Sequence, residues 1–341
     1  MLFLADGGAE IGGGHAMRCL TLAGALVDLG AACAFVAHPG AAPILEAFAV
    51  PPIEILAAPG EDPAAMLAAA GGLAEQWNAG VVVLDSYRLA QTDRFRLENP
   101  GRRIVVIDDL ADRKLVCDML VDPTFARTAD AYRTLVPAGC QVLAGAAYAL
   151  VRPAFRDARA GALARRSVQG PVKRVLVALG LTDVGGMTGR VVETLTAGGL
   201  WIDIVVGGSA PSLAALKALA ASNPDLRLHI DTRDMAALMA AADIGVGAGG
   251  SSVWERACLG LPSVSLILAD NQGPMTLALD HAGALIAVDA RRGDGELAAA
   301  CSRLIRDAAL RTRLTAASSS ICDGLGAGRV ASAILACAGV V

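Results

Sequence analysis

Short β-branched runs alternate with Ala/Leu-rich stretches of helical length, and this alternation occurs twice along the 341-residue chain. In the first series, residues 2–5, 34–37, 81–84, 104–107 and 119–121 read as buried strands and 16–29 and 63–76 as helices, with Gly30 closing the first helix. In the second, strands are expected at 174–179, 202–206, 226–230, 244–246 and 263–268. Helices are expected there at 188–196, 212–221, 234–241, 252–259 and 274–281. Strand, helix, strand repetition at this spacing calls for a parallel sheet covered on both faces.

A chain of this length exceeds one ordinary hydrophobic core, so two α/β domains are expected. The polar, Arg/Gly-rich passage 157–171 reads as their connection. The expected layout is a first Rossmann-like domain at 1–156, a linker at 157–172 and a second Rossmann-like domain at 173–341. Ligand loops in such folds lie at the carboxyl ends of the strands, which puts the expected active site in an interdomain cleft.

Formal net charge is −4 with no long basic run, so neither nucleic acid nor an anionic membrane is an expected partner. Apolar residues are 55% of the chain but aromatics only 4%, the balance of Ala-rich helices packed on Val/Ile/Leu strands. The late apolar run 330–341 is shorter than the roughly 20 residues of a membrane span. No basic segment precedes an apolar one at Met1, and a cytoplasmic protein is expected. The eight cysteines are scattered without zinc spacing and there are four histidines, so neither a metal nor another cofactor is expected.

The segment from Glu10 to Leu20, EIGGGHAMRCL, concentrates chemistry: Gly12, Gly13 and Gly14 deliver His15 to the first turn of a helix. Glycines allow close approach to a bulky anion, and the amides and dipole of the following helix favour phosphate. The same field disfavours imidazolium, leaving a neutral ring able to accept a proton. A carboxylate must then stabilise the cation as it forms, and Asp6, just after the first strand, is one candidate. The alternative is a plain tight turn with a partly buried helix residue.

A second glycine turn spans 245–255, GVGAGGSSVWE, at a strand end. Its amides and the hydroxyls of Ser251 and Ser252 suit a diphosphate, and Glu255 suits a ribose diol. Ser252 and Glu255 also have the spacing of a capping box. Asp85, Ser86 and Tyr87 follow one strand and Asp108 and Asp109 another, as ligand loops or as helix caps. Residues 180–183, ending in Thr182 and Asp183, and Asp270, Asn271 and Gln272 take equivalent places in the second series. His38, His229 and His281 read as structural.

Together these residues resemble the UDP-sugar hydrolases of pseudaminic acid biosynthesis, which act on UDP-2,4-diacetamido-2,4,6-trideoxy-β-L-altropyranose. The shared markers are AEIGGGHAMRCLTLA, LDSYRL, IDDLADRKLVCDMLVDPTF, LAGAAYALVRPAF, VALGLTDVGGMT and DMAALMAAADIGVGAGGSSVWERACLGLPSVSLILADNQ. The last block is also similar to the donor segment of lipid-linked N-acetylglucosaminyl transferases. The resemblance implies a GT-B arrangement and metal-independent hydrolysis that releases UDP. It implies that His15 activates water, that Tyr87 and Asn271 contact the sugar, and that Glu255 with Gly249, Gly250, Ser251 and Ser252 holds UDP. By the same resemblance Arg152 contacts phosphate and Thr232 reads uracil through its backbone. The implied partner is the UDP-sugar, with neighbouring sugar-biosynthesis enzymes as candidate protein partners; a glycosyltransferase using the same donor is the alternative. Leu4, Leu181 and Gly186 depart from the family pattern, standing where an arginine, a glycine and an asparagine are usual.

Overall fold

The computed structural model describes residues 1–8, 11–58, 60, 62–88, 101–168, 170–196, 199–292 and 294–339. Ala9 and Glu10 of the first glycine loop and Leu89 of LDSYRL lie outside them. The chain forms two compact units, residues Met1–Leu150 with Leu325–Val341, and Val151–Gly324.

The first unit carries a seven-stranded parallel sheet of β1 (Leu2–Ala5), β2 (Ala34–Ala37), β3 (Glu54–Ala57), β4 (Val81–Asp85), β5 (Arg103–Ile107), β6 (Met119–Asp122) and β7 (Gln141–Ala144), in the order β3-β2-β1-β4-β5-β6-β7. Helices α1 (Gly14–Asp28), α2 (Ala42–Phe48) and α3 (Pro63–Gln76) connect the first four strands, and the helix Gly326–Cys337 packs against α1. The central strands are buried at every position, as continuous apolar runs in a doubly covered sheet must be. Past α1, Gly30 adopts φ 88° and donates to Val27 O, the expected C-terminal glycine.

The second unit carries β8 (Arg174–Ala178), β9 (Trp201–Val206), β10 (Leu226–Ile230), β11 (Ile244–Ala248), β12 (Ser263–Ile267) and β13 (Ile286–Asp289), all parallel in the order β10-β9-β8-β11-β12-β13. Its helices are α4 (Pro153–Ser167), α5 (Met187–Thr196), α6 (Leu213–Ser222), α7 (Met235–Ala241), α8 (Ser252–Cys258), α9 (Gly273–His281), α10 (Asp294–Arg306) and α11 (Ala308–Ile321). Val191, Leu195, Ile202, Ile204, Leu216 and Leu304 belong to one continuous core.

Two expectations are corrected. Most of the passage read as a linker is α4, bound into the second unit by Arg166, whose guanidinium donates to Met239 O, Ala242 O and Leu259 O. The arginines that suggested a connection donate to backbone carbonyls of the second unit instead, Arg159 to Cys322 O and Ser319 O and Arg165 to Ala242 O. The end of the chain also returns to the first unit, so the second domain does not run to residue 341. The stretch Ala308–Cys337 has the length and composition of a membrane span. It consists of two helices, Ala308–Ile321 and Gly326–Cys337, that belong to different units.

Candidate active site

In each unit the strand order reverses beside the first strand of the series, between β1 and β4 and between β8 and β11. Open parallel sheets bind ligands outside the carboxyl ends at such a switch point. The chemistry-bearing residues collect at these two places.

At the β1/β4 switch point, His15 stands in the first turn of α1 and is buried. Gly12 takes φ 86°, and its amide donates to Gly8 O at 2.8 Å, so the loop closes on itself before entering α1 at Gly13 and Gly14. His15 Nδ1 lies 2.6 Å from Asp85 Oδ1, the last residue of β4. Arg18, one turn further along α1, donates from Nε to Asp85 Oδ2 at 2.6 Å and from Nη2 to Oδ1 at 2.7 Å. It reaches Asp109 Oδ2 from Nη1 at 2.8 Å. Tyr87 donates its hydroxyl to Asp109 Oδ1 at 2.5 Å and meets the His15 ring edge-on, with centroids 4.6 Å apart.

Burial alone raises the pKa of Asp85, but the Arg18 charge, His15 and their hydrogen bonds outweigh it and hold the carboxyl well below the usual range. Asp109 is lowered in the same way, burial being overcome by Arg18 and the Tyr87 hydroxyl. An ionised Asp85 accepts the Nδ1 proton of His15, which fixes the tautomer and leaves the Nε2 lone pair as the ring's acceptor. Nε2 has no hydrogen-bond partner among the described residues. A buried carboxylate that orients an imidazole and stabilises its cation is the constellation of a general base.

This corrects one expectation: the carboxylate serving His15 is Asp85, not Asp6. Asp6 is buried beside Arg88, whose Nη2 donates to Oδ1 at 2.9 Å, and its Oδ2 accepts the Tyr87 amide at 3.1 Å. It positions the Tyr87 loop. Arg18 went unassigned although its i, i+3 spacing from His15 puts both on one helix face. The neighbouring Asp108 accepts from Tyr132 and from the amides of Leu110 and Ala111, a structural role.

At the β8/β11 switch point, the turn after β11 leads into α8. The expected Ser252–Glu255 capping box is not formed: the N-cap is Ser251, one residue earlier and without a side-chain cap, Ser252 Oγ accepts from Arg256 Nη1, and Glu255 Oε1 accepts from Arg152 Nε and Nη2 at 3.1 and 2.8 Å. Glu255 Oε2 has no partner among the described residues. Arg152 sits at the entry to α4 with its guanidinium 4.9 Å from the Phe155 ring centre. Gly249 donates its amide to Leu266 O, and a Cβ there would lie 2.2 Å from Thr276 Oγ1. The glycine is therefore required by packing. Gln272 Oε1 accepts the Leu268 amide at 3.0 Å, which turns its NH₂ toward Gly250. Asn271 is exposed beside it in the short helix Asp270–Gln272.

Thr182 and Asp183 are buried after β8. The Asp183 carboxylate is engaged by the Thr188 amide and hydroxyl at 3.0 and 2.7 Å and by the Ser212 hydroxyl at 2.5 Å, tying the loop to α5 and α6. Thr232 Oγ1 accepts the Asp234 amide at 3.1 Å ahead of α7. Of the departing positions, Leu4 lies in the first core, the Leu181 carbonyl accepts the Gly207 amide, and Gly186 takes φ 63°.

No protein-family model matches the chain. It is 28% identical over 209 residues to the spore coat polysaccharide biosynthesis protein SpsG of Bacillus subtilis, a match covering 58% of this chain and 59% of that protein. It is 26% identical over 243 residues to the UDP-2,4-diacetamido-2,4,6-trideoxy-β-L-altropyranose hydrolase of Campylobacter jejuni, covering 70% of this chain and 81% of that one. Among solved structures, MurG of Acinetobacter baumannii aligns with TM-score 0.67 at 16% identity, over 98% of this chain and 99% of that one. The chain has the GT-B fold, two parallel-sheet α/β units of seven and six strands.

Proposed function

We propose that this protein hydrolyses a UDP-linked sugar, with UDP-2,4-diacetamido-2,4,6-trideoxy-β-L-altropyranose as the favoured substrate. The observation that carries the reading is the His15–Asp85 pair, a base with its second nitrogen open, presented by a glycine loop at a switch point. The similarity to the Campylobacter jejuni hydrolase over 70% of this chain supports the choice of substrate.

In this reaction water attacks the anomeric carbon and gives its proton to His15 Nε2. The bond from that carbon to the β-phosphate oxygen breaks, and UDP leaves with the electron pair. Asp85 stabilises the imidazolium, and Tyr87 with Asn271 binds the sugar. Gly249 to Ser252 hold the diphosphate, with Glu255 on the ribose hydroxyls. General-base help of this kind contributes about 10²–10⁴ in rate, and donors aimed at the departing diphosphate supply electrostatic stabilisation.

The second reading is transfer of the sugar to an acceptor, which fits the GT-B fold equally well. Incubation with the UDP-diacetamido sugar in buffer containing EDTA separates the two. Stoichiometric UDP and free reducing sugar in water alone are expected, whereas UDP release that waits for an added acceptor supports transfer.

A further inference from the structure

The second glycine turn is built over a buried cation. Arg256, in α8, is 3% exposed, and no carboxylate among the described residues forms an ion pair with it. Its neighbour Glu255 turns to Arg152 instead. The guanidinium is held by neutral oxygens: Nη2 donates to Ala248 O at 2.8 Å and to Ser265 Oγ at 2.9 Å, and Nη1 donates to Ser252 Oγ at 3.0 Å. Nε has no partner. Burial pulls its pKa down to about 10, which still leaves it charged at neutral pH.

Room for this side chain explains Gly247 of the strand. A Cβ on Gly247 would lie 2.2 Å from Arg256 Nη1 and 2.8 Å from Cζ, and one on Gly245 would lie 3.5 Å from Cδ. Gly247 therefore admits the arginine beneath the turn, whereas a Cβ on Gly245 would press on Leu261 Cδ2 at 3.0 Å and only touch the arginine. Burying a charge is costly unless an opposite charge compensates it. Among the described residues no carboxylate pairs directly with this cation, Glu255 acting on it only through space, and it lies under a turn lined by a serine hydroxyl and by the Gln272 amide.

We propose that Arg256 is a positioning residue for a diphosphate group, acting through Ser252. A hydroxyl has one proton and two lone pairs. Because Arg256 occupies a lone pair of Ser252 Oγ and can only donate, the Ser252 proton is directed away from it as a donor to an anion on the turn. The guanidinium supplies the counter-charge from below without touching the ligand. The identity of the anion as the diphosphate of UDP rests on the proposed function.

The test is calorimetric titration of the full chain with UDP and with uridine, alongside R256Q, R256K, S252A and the double variant S252A/R256Q, each checked for folding by circular dichroism. Charge-assisted hydrogen bonds set the scale: R256Q is expected to weaken UDP about tenfold or more and leave uridine unchanged. R256K retains most of the UDP affinity. S252A loses a similar factor, and the double variant is no weaker than the worse single variant, because the two residues act as one unit. Folded R256Q with wild-type UDP affinity overturns the proposal, as do losses from R256Q and S252A that multiply in full. Should R256Q not fold, S252A and R256K decide: S252A with unchanged UDP affinity, or R256K as weak as S252A, overturns it. A wild-type chain that binds UDP no better than uridine overturns this inference alone. One that binds neither overturns the proposed function as well.

Discussion

Substituting His15 by asparagine is expected to lower kcat by about 10²–10⁴-fold while UDP affinity stays near that of the wild type. In the proposed reaction the loss falls on kcat because the imidazole takes a proton only as the new bond forms, while the residues assigned to UDP lie in the other unit. Steady-state kinetics together with UDP titration check this. An equal change in KM with kcat intact would make His15 a binding residue. The helix itself should tolerate the change, because α1 is anchored by the buried Ala16, Cys19, Leu22, Ala23 and Leu26 rather than by the ring.

Asp85→Asn has the larger combined effect. The carboxylate is fully buried and accepts from His15 and twice from Arg18, so neutralising it leaves the Arg18 guanidinium with Asp109 as its remaining partner. Removing one partner of a buried ion pair costs about 3–5 kcal/mol. In the proposed reaction an amide in place of the carboxylate that orients the imidazole also lowers kcat by about 10⁴, since it no longer fixes the tautomer or stabilises the cation. Thermal or urea melts and turnover of the folded fraction separate the two losses. The pH dependence follows from the same pair. Asp85 and Asp109 titrate lower in the folded chain than in the unfolded one, so their contribution is complete above about pH 4 and falls away as the pH drops toward the folded values. Acid unfolding of Asp85→Asn should accordingly be less steep than that of the wild type. A variant as stable as the wild type at neutral pH and equally acid-sensitive would contradict the role given to Asp85.

The central strands of both sheets were legible because they are buried on both faces and read as unbroken apolar runs. Strands β3, β7 and β13 were not: each lies at a sheet edge without a clean apolar pattern, Glu54–Ala57 being exposed at both ends, Gln141 exposed, and most of Ile286–Asp289 half-buried, whereas the fourth edge strand, β10, was legible from its alternating Leu226, Leu228 and Ile230. The glycine loop, His15 and the strand-end carboxylates were legible from spacing. The pairing among them was not, since Asp6 and Asp85 end adjacent parallel strands and nothing in their order says which faces the ring. Glu255 shows the same limit. Its spacing from Ser252 fits a cap, but Arg152, more than a hundred residues earlier, takes its carboxylate. The glycines of β11 looked like a ligand cradle, whereas Gly247 makes room for Arg256 and Gly245 for Leu261, neighbours visible only in three dimensions.

The most direct test of the account is turnover of the UDP-diacetamido sugar in ¹⁸O-labelled water with EDTA, followed by mass spectrometry of both products. Attack by a His15-activated water on the anomeric carbon predicts label in the free sugar and none in UDP. Label in the UDP phosphate would mean attack at phosphorus and would contradict the role assigned to the His15–Asp85 pair.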